Sequence, residues 1–242
     1  MGAIVFSYSM IGWQDSQQTT HDDPLVLALQ TWNSIRVVDF LTSLPEVDPK
    51  RIGVTGASGG GTQTFFLTAV DDRITASAPA VIIYPWSWFS GACHCEGGMP
   101  VMKSPETNAI ELAAMAAPRP QLIISCGWID DAKKHKDQTH DFPKTGLPFV
   151  QHVYKIAGHP ERLKNVHLAD EAHDYGASKR KAVYAFFAEY LGMRLVDEDL
   201  KKIAIEPPES LAVFTKDHPL PKHAARGSAE VGRAFGRFTR GG

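Results

Sequence analysis

The chain has 242 residues, 43% hydrophobic and 21% charged, which is enough for one large domain with a buried core. A formal net charge of −2 and the absence of a long basic run give no electrostatic reason to expect nucleic acid or an anionic membrane as a partner. No apolar run reaches the roughly 18 residues of a membrane span, and the first residues lack the charged start of a secretory signal. We therefore expect a cytoplasmic protein as the chain stands, or a secreted or periplasmic one if a segment precedes it.

The first half of the chain alternates between predicted strands and helices. Residues Ala3–Tyr8 have the apolar composition of a buried strand. Asp23 as N-cap and Pro24 at the first helical position predict a helix that reaches Leu44. Its core face is indicated by apolar residues at helical spacing, namely Leu25, Leu29, Trp32, Ile35 and Val38. A β-branched run at 51–55 predicts the next strand.

The segment Gly56-Ala57-Ser58-Gly59-Gly60 has the G-x-S-x-G pattern of a nucleophile elbow. It lies between a predicted strand and a predicted helix, which is the context that this motif requires. The sharp bend exposes the Ser58 hydroxyl, and the small neighbouring residues let the strand and the helix approach closely. We therefore predict that Ser58 is a nucleophile and that the Gly59 N–H contributes to an oxyanion hole.

The second half of the chain continues the alternation. Its predicted elements are, in order, a helix to about Val70, a strand over Ile74–Ile83, a long loop from Tyr84 to Pro105, a helix at Ile110–Ala117, a strand at Gln121–Ser125, a helix at Pro148–Ile156, a short strand at Val166–Leu168 and a helix at Ser178–Leu191 that stops at Gly192. Such alternation predicts an α/β fold whose mostly parallel sheet carries helices on both faces. We expect this domain over residues 1–195, followed by a partly packed, partly flexible extension over 196–242.

A nucleophilic serine needs a general base and an acid that orients it. Among the ten histidines, His173 is the best candidate for the base because it lies between the last predicted strand and the last helix. Asp130 is the favoured acid, since it follows the strand that ends at Ser125 and gives the order serine, acid, histidine. The adjacent Asp131 is an alternative if the loop register differs by one residue, and Glu96, beyond the preceding strand, is another.

These motifs resemble those of the α/β-hydrolases, near the dienelactone-hydrolase and acetyl-xylan-esterase-like group. The similarity rests on Arg51–Val70 with the elbow, on the Ala-Ala-Pro-Arg-Pro segment at 116–120, and on Asn165–Lys179 with the histidine. It implies hydrolysis of a carboxylic ester through an acyl-serine, in which Ser58 attacks, His173 transfers the proton and Asp130 orients it. Short-chain acyl esters such as acetyl esters, including those of carbohydrates, are the expected small-molecule substrates.

The chain departs from this family at its start. The family has strands before the one that opens this chain, and a loop after its third strand supplies the second oxyanion N–H. The sequence therefore predicts an N-terminally shortened hydrolase fold. An open sheet edge favours association, so we expect a homo-oligomer that covers it.

The sequence indicates less directly which residues contact the substrate and whether a cofactor is bound. Trp86 and Trp88 are candidates for substrate binding because aromatic faces pack well on sugar rings, although they are equally consistent with core positions. The three cysteines, Cys93, Cys95 and Cys126, have neither disulfide-framework nor zinc-site spacing. No nucleotide, flavin or metal signature is present, so we expect no cofactor and no metal.

Two other classes of function are consistent with the same sequence. One is a hydrolase scaffold that has lost catalysis and acts as a binding protein. The other is a dienelactone-type hydrolase or an acyltransferase that uses the same serine on other acceptors. A serine-directed fluorophosphonate separates the first from an esterase, and dependence on an added alcohol separates the second.

Overall fold

A computed structural model describes residues 1–84, 107–197 and 203–239, with side chains to residue 236. Its strands are β1 (Ile52–Ala57), β2 (Ile74–Ala80), β3 (Gln121–Cys126) and β4 (Leu163–Leu168). Its α-helices are α1 (Val26–Ser43), α2 (Gly59–Val70), α3 (Ala109–Ala114), α4 (Phe142–Thr145), α5 (Leu147–Ile156), α6 (Ala177–Leu191) and α7 (Gly227–Thr239).

The four strands form one parallel sheet in the order β1-β2-β3-β4. At its carboxyl end, Ala57 is in register with Ala80, and Cys126 is in register with Leu168. Parallel strands need crossover connections, and helices α2, α3 and α5 lie in the three connections of this sheet. The predicted α/β class is confirmed, and the loops that follow the four strands meet at one edge of the sheet.

Two apolar cores cover the two faces of the sheet. Strand β3 is buried along its whole length, and its side chains alternate between the faces. Ile123 joins the core that contains residues of helices α2, α3 and α5, whereas Leu122 and Ile124 join the core with α6. The predicted packing of helices on both faces follows from this alternation.

The predicted strand at Ala3–Tyr8 is wrong. Residues 1–10 have no regular secondary structure, and Val5 is 82% exposed. A strand exists only when a neighbouring strand accepts and donates its backbone hydrogen bonds, and β1 pairs with β2 alone among the described strands. The segment lies beside β1 instead, with residues 1–8 and β1 lining a shared cavity of about 890 Å³.

The outer edge of β1 is thus open in the described part of the chain. Apolar side chains from α1 and α6, including Val38 and Phe187, line the same cavity. The expectation that a second copy covers this edge stays a prediction.

Helix α7 lies in the predicted extension and was not expected from the sequence. Its Val231 and Phe235 pack on a small core around Val26 and Leu29. Only the amphipathic spacing of these residues could have indicated it, and the surrounding Gly and Arg residues obscure that spacing. None of the helices in the described part of the chain is both long enough and apolar enough to cross a bilayer.

Candidate active site

Ser58 occupies the turn between β1 and α2. Its backbone has φ 53° and ψ −122°, and its N–H donates to the carbonyl oxygen of Ala80 at 3.1 Å. A positive φ is strained for a residue with a side chain, and such strain is concentrated at functional sites. This conformation is the one that a nucleophile elbow imposes on its central residue.

Glycines make the elbow tight enough to form. A Cβ on Gly56 would lie 2.6 Å from the backbone carbonyl carbon and oxygen of Gly60, so only glycine fits there. Gly61 is equally restricted, because its Cβ would lie 2.7 Å from the carbonyl oxygen of Ala80. The predicted close approach of strand and helix is therefore present in the structure.

The predicted oxyanion donor lies next to the serine. Gly59 is the first residue of α2 and is buried. The first N–H groups of a helix have no acceptor within the helix, and the helix dipole places partial positive charge at this end. The residue can therefore present a backbone donor to negative charge that develops beside Ser58.

His173 lies in the loop between β4 and α6 and forms a hydrogen bond with a buried carboxylate. Its Nδ1 is 2.6 Å from Oδ2 of Asp137. The Asp137 side chain is 1% exposed, whereas the imidazole is 27% exposed. A carboxylate on Nδ1 fixes the tautomer in which Nε2 accepts a proton, so the pair has the form of a general base with its orienting acid.

Thr139 holds the other oxygen of this carboxylate. Its hydroxyl and its backbone N–H donate to Oδ1 of Asp137 at 2.6 and 2.8 Å. Burial acts to raise the pKa of Asp137, but the hydrogen bonds from His173 and Thr139 outweigh burial and lower the pKa below its usual value. Asp137 is therefore a carboxylate with both oxygens occupied, ready to stabilise an imidazolium.

The structure does not bring the predicted acids Asp130 and Asp131 to His173. Both are exposed, because the chain folds back on itself through an antiparallel bridge between Trp128 and Lys136. The N–H of Asp137 then donates to the carbonyl oxygen of Gly127 at 3.1 Å, next to the end of β3. The residue paired with the histidine is thus seven positions beyond the favoured candidate.

Sequence reasoning chose the first carboxylates after the strand and missed Asp137. The Asp-Gln-Thr segment at 137–139 was an available signal, since a threonine two residues after an aspartate readily donates to it. Glu96, Trp86 and Trp88, predicted as alternative acid and substrate contacts, lie outside the described residues.

A tyrosine connects the histidine loop to the elbow strand. The hydroxyl of Tyr175, two residues after His173, hydrogen-bonds the hydroxyl of Thr55, three residues before Ser58. The loop after β4 therefore reaches across the sheet to β1, as the sequence prediction for His173 requires.

Within residues 1–84, 107–197 and 203–239, one group of side chains is close enough to hold a metal ion. It comprises Cys126, Asp137 and His173, whose ligand atoms lie within 4.8 Å of one another. Burial, followed by the charge of Asp137, raises the pKa of the Cys126 thiol to about 12. A cysteine that binds a metal does so as a thiolate, so binding here would have to displace the proton of this thiol.

Several solved structures that match this chain are described as esterases. The structure described as "Methylesterase BT1017" superposes with a TM-score of 0.79 and 37% identity, over 96% of this chain and 53% of that one. The chain has an α/β-hydrolase fold. Two other solved structures match more distantly and show the fold alone. One is a carbohydrate esterase family 15 glucuronoyl esterase from Caldicellulosiruptor kristjansonii, with a TM-score of 0.55, 20% identity, and 75% and 55% coverage of the two chains.

The other is a glucuronoyl esterase from Solibacter usitatus, with a TM-score of 0.53, 17% identity, and 69% and 48% coverage. A model of the family "Glucuronyl esterase, fungi" matches residues 18–81 of this chain, which include the elbow. No curated protein sequence gives a significant match. The chain spans about half the length of the solved structures that it matches.

Proposed function

We propose that this chain is a serine carboxylic-ester hydrolase that acts on carbohydrate esters through an acyl-enzyme. The observation that carries the proposal is the hydrogen bond between His173 and the buried Asp137, at the sheet edge where the elbow presents Ser58. A serine, an imidazole and a buried carboxylate in loops after parallel strands form the arrangement for acyl transfer.

In the proposed acylation, His173 Nε2 takes the proton of the Ser58 hydroxyl as Oγ bonds to the ester carbonyl carbon. The carbonyl oxygen becomes an oxyanion, which the Gly59 N–H stabilises. Asp137 keeps its negative charge and stabilises the imidazolium. The C–O bond to the alcohol then breaks, and the imidazolium gives its proton to the leaving alkoxide.

Deacylation repeats these steps with water. His173 removes a proton from the water as its oxygen bonds to the acyl carbon, and the imidazolium returns that proton to Ser58 Oγ as the acyl bond breaks. The products are the carboxylic acid and the regenerated serine.

The names of the matching proteins support a carbohydrate ester as substrate. They are called a methylesterase and glucuronoyl esterases, so a sugar acid esterified through its carboxyl group is the favoured class. Acetyl esters on sugar hydroxyls, expected from sequence, remain the alternative. Methyl glucuronate and an acetylated xylose compared at equal concentration separate the two.

The experiment compares the wild-type chain with Ser58→Ala. Hydrolysis of p-nitrophenyl acetate, methyl glucuronate and acetylated xylose is measured for both proteins. Intact-mass analysis after fluorophosphonate treatment then counts the covalent adducts on each. We expect turnover and one covalent adduct, both lost in Ser58→Ala. Circular dichroism of both samples checks that they are folded. A folded chain with neither turnover nor adduct would contradict the proposal and favour the binding-scaffold alternative.

A transferase is distinguished within the same assay. Adding methanol or glycerol tests whether product formation depends on an alcohol acceptor. Turnover that requires the added alcohol would replace the hydrolase assignment with an acyltransferase, while the roles of Ser58 and His173 would be unchanged.

A further inference from the structure

Lys179 is a fully buried cation in the first turn of α6. Its side chain is 0% exposed, whereas Lys181, two residues later on the same helix, is exposed. Lysine is almost never buried unless its ammonium group is paired. Because Lys179 is buried beside the loop of His173, we expect its ammonium group to be paired with residues of that loop.

Three oxygens accept hydrogen bonds from this ammonium group, and they belong to residues on either side of His173. Nζ donates to Oε2 of Glu171 at 3.0 Å, to the carbonyl oxygen of Ala172 at 2.9 Å and to Oδ1 of Asp174 at 2.6 Å. The three donors of an ammonium group are thus matched by three oxygens, two before and one after His173. One cation thus binds a carboxylate and a backbone carbonyl before the base and a carboxylate after it.

The opposite side of the loop is held by the segment after β3. The N–H of Trp128 donates to the carbonyl oxygen of Glu171 at 3.2 Å, and the N–H of His173 donates to that of Ile129 at 3.4 Å. The second contact is long, so the backbone alone holds His173 loosely. Glu171 connects the two supports, because its carbonyl oxygen faces Trp128 and its carboxylate faces Lys179.

We infer that Lys179 is a positioning residue that holds the loop of His173 so that the imidazole meets both Asp137 and Ser58. It touches neither the substrate nor the reacting atoms, and it acts by fixing the residues on either side of the base. This inference rests on the proposed function. A misplacement of about 1 Å in such a group lowers the rate by roughly a hundredfold.

Electrostatic interactions keep the ammonium group of Lys179 charged and hydrogen-bonded near neutral pH. Burial acts to lower the pKa of Lys179, but the hydrogen bonds that its ammonium donates to Asp174 and Glu171 outweigh burial and raise the pKa above its usual value. The same contact lowers the pKa of Asp174 against the effect of its partial burial. The ammonium of Lys179 and the carboxylate of Asp174 are therefore both charged near neutral pH.

The test compares Lys179→Met, which keeps chain length but loses the charge, with Lys179→Arg and the matched control Lys181→Met. Each variant is assayed for kcat and KM on p-nitrophenyl acetate, and for both the rate and the final stoichiometry of fluorophosphonate labelling. We expect kcat of Lys179→Met to fall about tenfold to a hundredfold with KM within about twofold. Labelling should slow by a similar factor and still reach one adduct per chain. Lys179→Arg should recover part of the rate, and Lys181→Met should match the wild type.

The labelling stoichiometry distinguishes positioning from a merely structural role. If Lys179 only stabilised the fold, Lys179→Met would contain fewer reactive molecules, each reacting at the wild-type rate. That result, or an unchanged kcat, would overturn the inference. If Lys179→Met fails to fold, Asp174→Ala replaces it, since this removes one acceptor of the ammonium and leaves the cation in place. A wild-type rate in folded Asp174→Ala would then overturn the inference.

Failure of the proposed function gives a different result. An inactive, unlabelled wild-type chain would overturn the esterase assignment, and the positioning role with it. An active wild type with an unaffected Lys179→Met would overturn the positioning role alone.

Discussion

His173 and Asp137 are 36 positions apart in the chain, yet a hydrogen bond of 2.6 Å joins Nδ1 of the imidazole to Oδ2 of the carboxylate. Because the carboxylate holds the imidazole in the tautomer that can accept the serine proton, we expect Asp137→Asn to lower kcat by roughly a thousandfold or more. Esterase kinetics measure the effect. Asp130→Asn is the matched control, since Asp130 is exposed, and should keep the wild-type rate.

The reverse result would restore the assignment made from sequence. A large loss of kcat in Asp130→Asn together with an active Asp137→Asn would contradict the role that we give to Asp137. Thermal unfolding of both variants checks that a loss of rate is not a loss of fold.

Asp137 should also make the unfolding free energy of the chain depend on pH in the acid range. Its pKa is lower in the folded chain than in the unfolded one, where an aspartate titrates near 3.9, so the unfolded state binds more protons at acid pH. The resulting stabilisation is fully present above about pH 4 and is lost as pH falls through the lower, folded pKa. Urea unfolding between pH 5 and pH 2.5 should show a steeper loss of unfolding free energy in the wild type than in Asp137→Asn. If the unfolding free energy depends on pH equally in the two proteins, protonation of Asp137 is not coupled to folding.

The elbow glycines differ in what they tolerate. A Cβ at position 56 would lie 2.6 Å from the backbone of Gly60, whereas a Cβ at position 60 meets nothing within 4 Å. We expect Gly56→Ala to lower the unfolding free energy by about 1–3 kcal/mol and to slow labelling of Ser58, because strand and helix must separate. Gly60→Ala lies in a helix and should be neutral or stabilising by up to about 1 kcal/mol.

Urea unfolding and fluorophosphonate labelling measure both glycine variants. Equal stability of the two variants would show that the close approach at Gly56 is not required.

Cys126 should be chemically inert in the folded chain. It is 0% exposed, and burial followed by the charge of Asp137 raises its pKa to about 12, so about one thiol in ten thousand is ionised at pH 8. Iodoacetamide at pH 8 should leave Cys126 unmodified, as read by peptide mass spectrometry, and should modify it in 8 M urea. Modification of Cys126 in a sample that stays folded would contradict this environment.

The local elements of the fold could be predicted from the sequence, because each depends on residues close together in the chain. Apolar spacing gave helix α1 to within a few residues, and a β-branched run followed by small residues gave β1 and the elbow at Ser58. Gly192, with φ 60°, ends α6 as predicted, since a left-handed residue is where glycine has the advantage. Strand Leu163–Leu168 is longer than predicted, because its partly buried residues lack an apolar run.

Elements that depend on distant partners could not be predicted in this way. Residues 3–8 have the composition of a strand, but a strand is defined by its neighbour, and in the described chain this segment forms no ladder with β1. Helix α7 depends on the apolar surface that α1 provides for Phe235.

The sequence by itself determined the elbow that carries Ser58 and the loop that carries His173, because both are local patterns of a parallel α/β sheet. Only the tertiary structure decided which carboxylate meets His173. A hairpin exposes Asp130 to solvent and brings Asp137 back to the end of β3. The spacing of residues along the chain does not predict this change of direction. The buried ammonium of Lys179 was likewise decided by tertiary structure, since its acceptors become a single site only when the loop folds over α6.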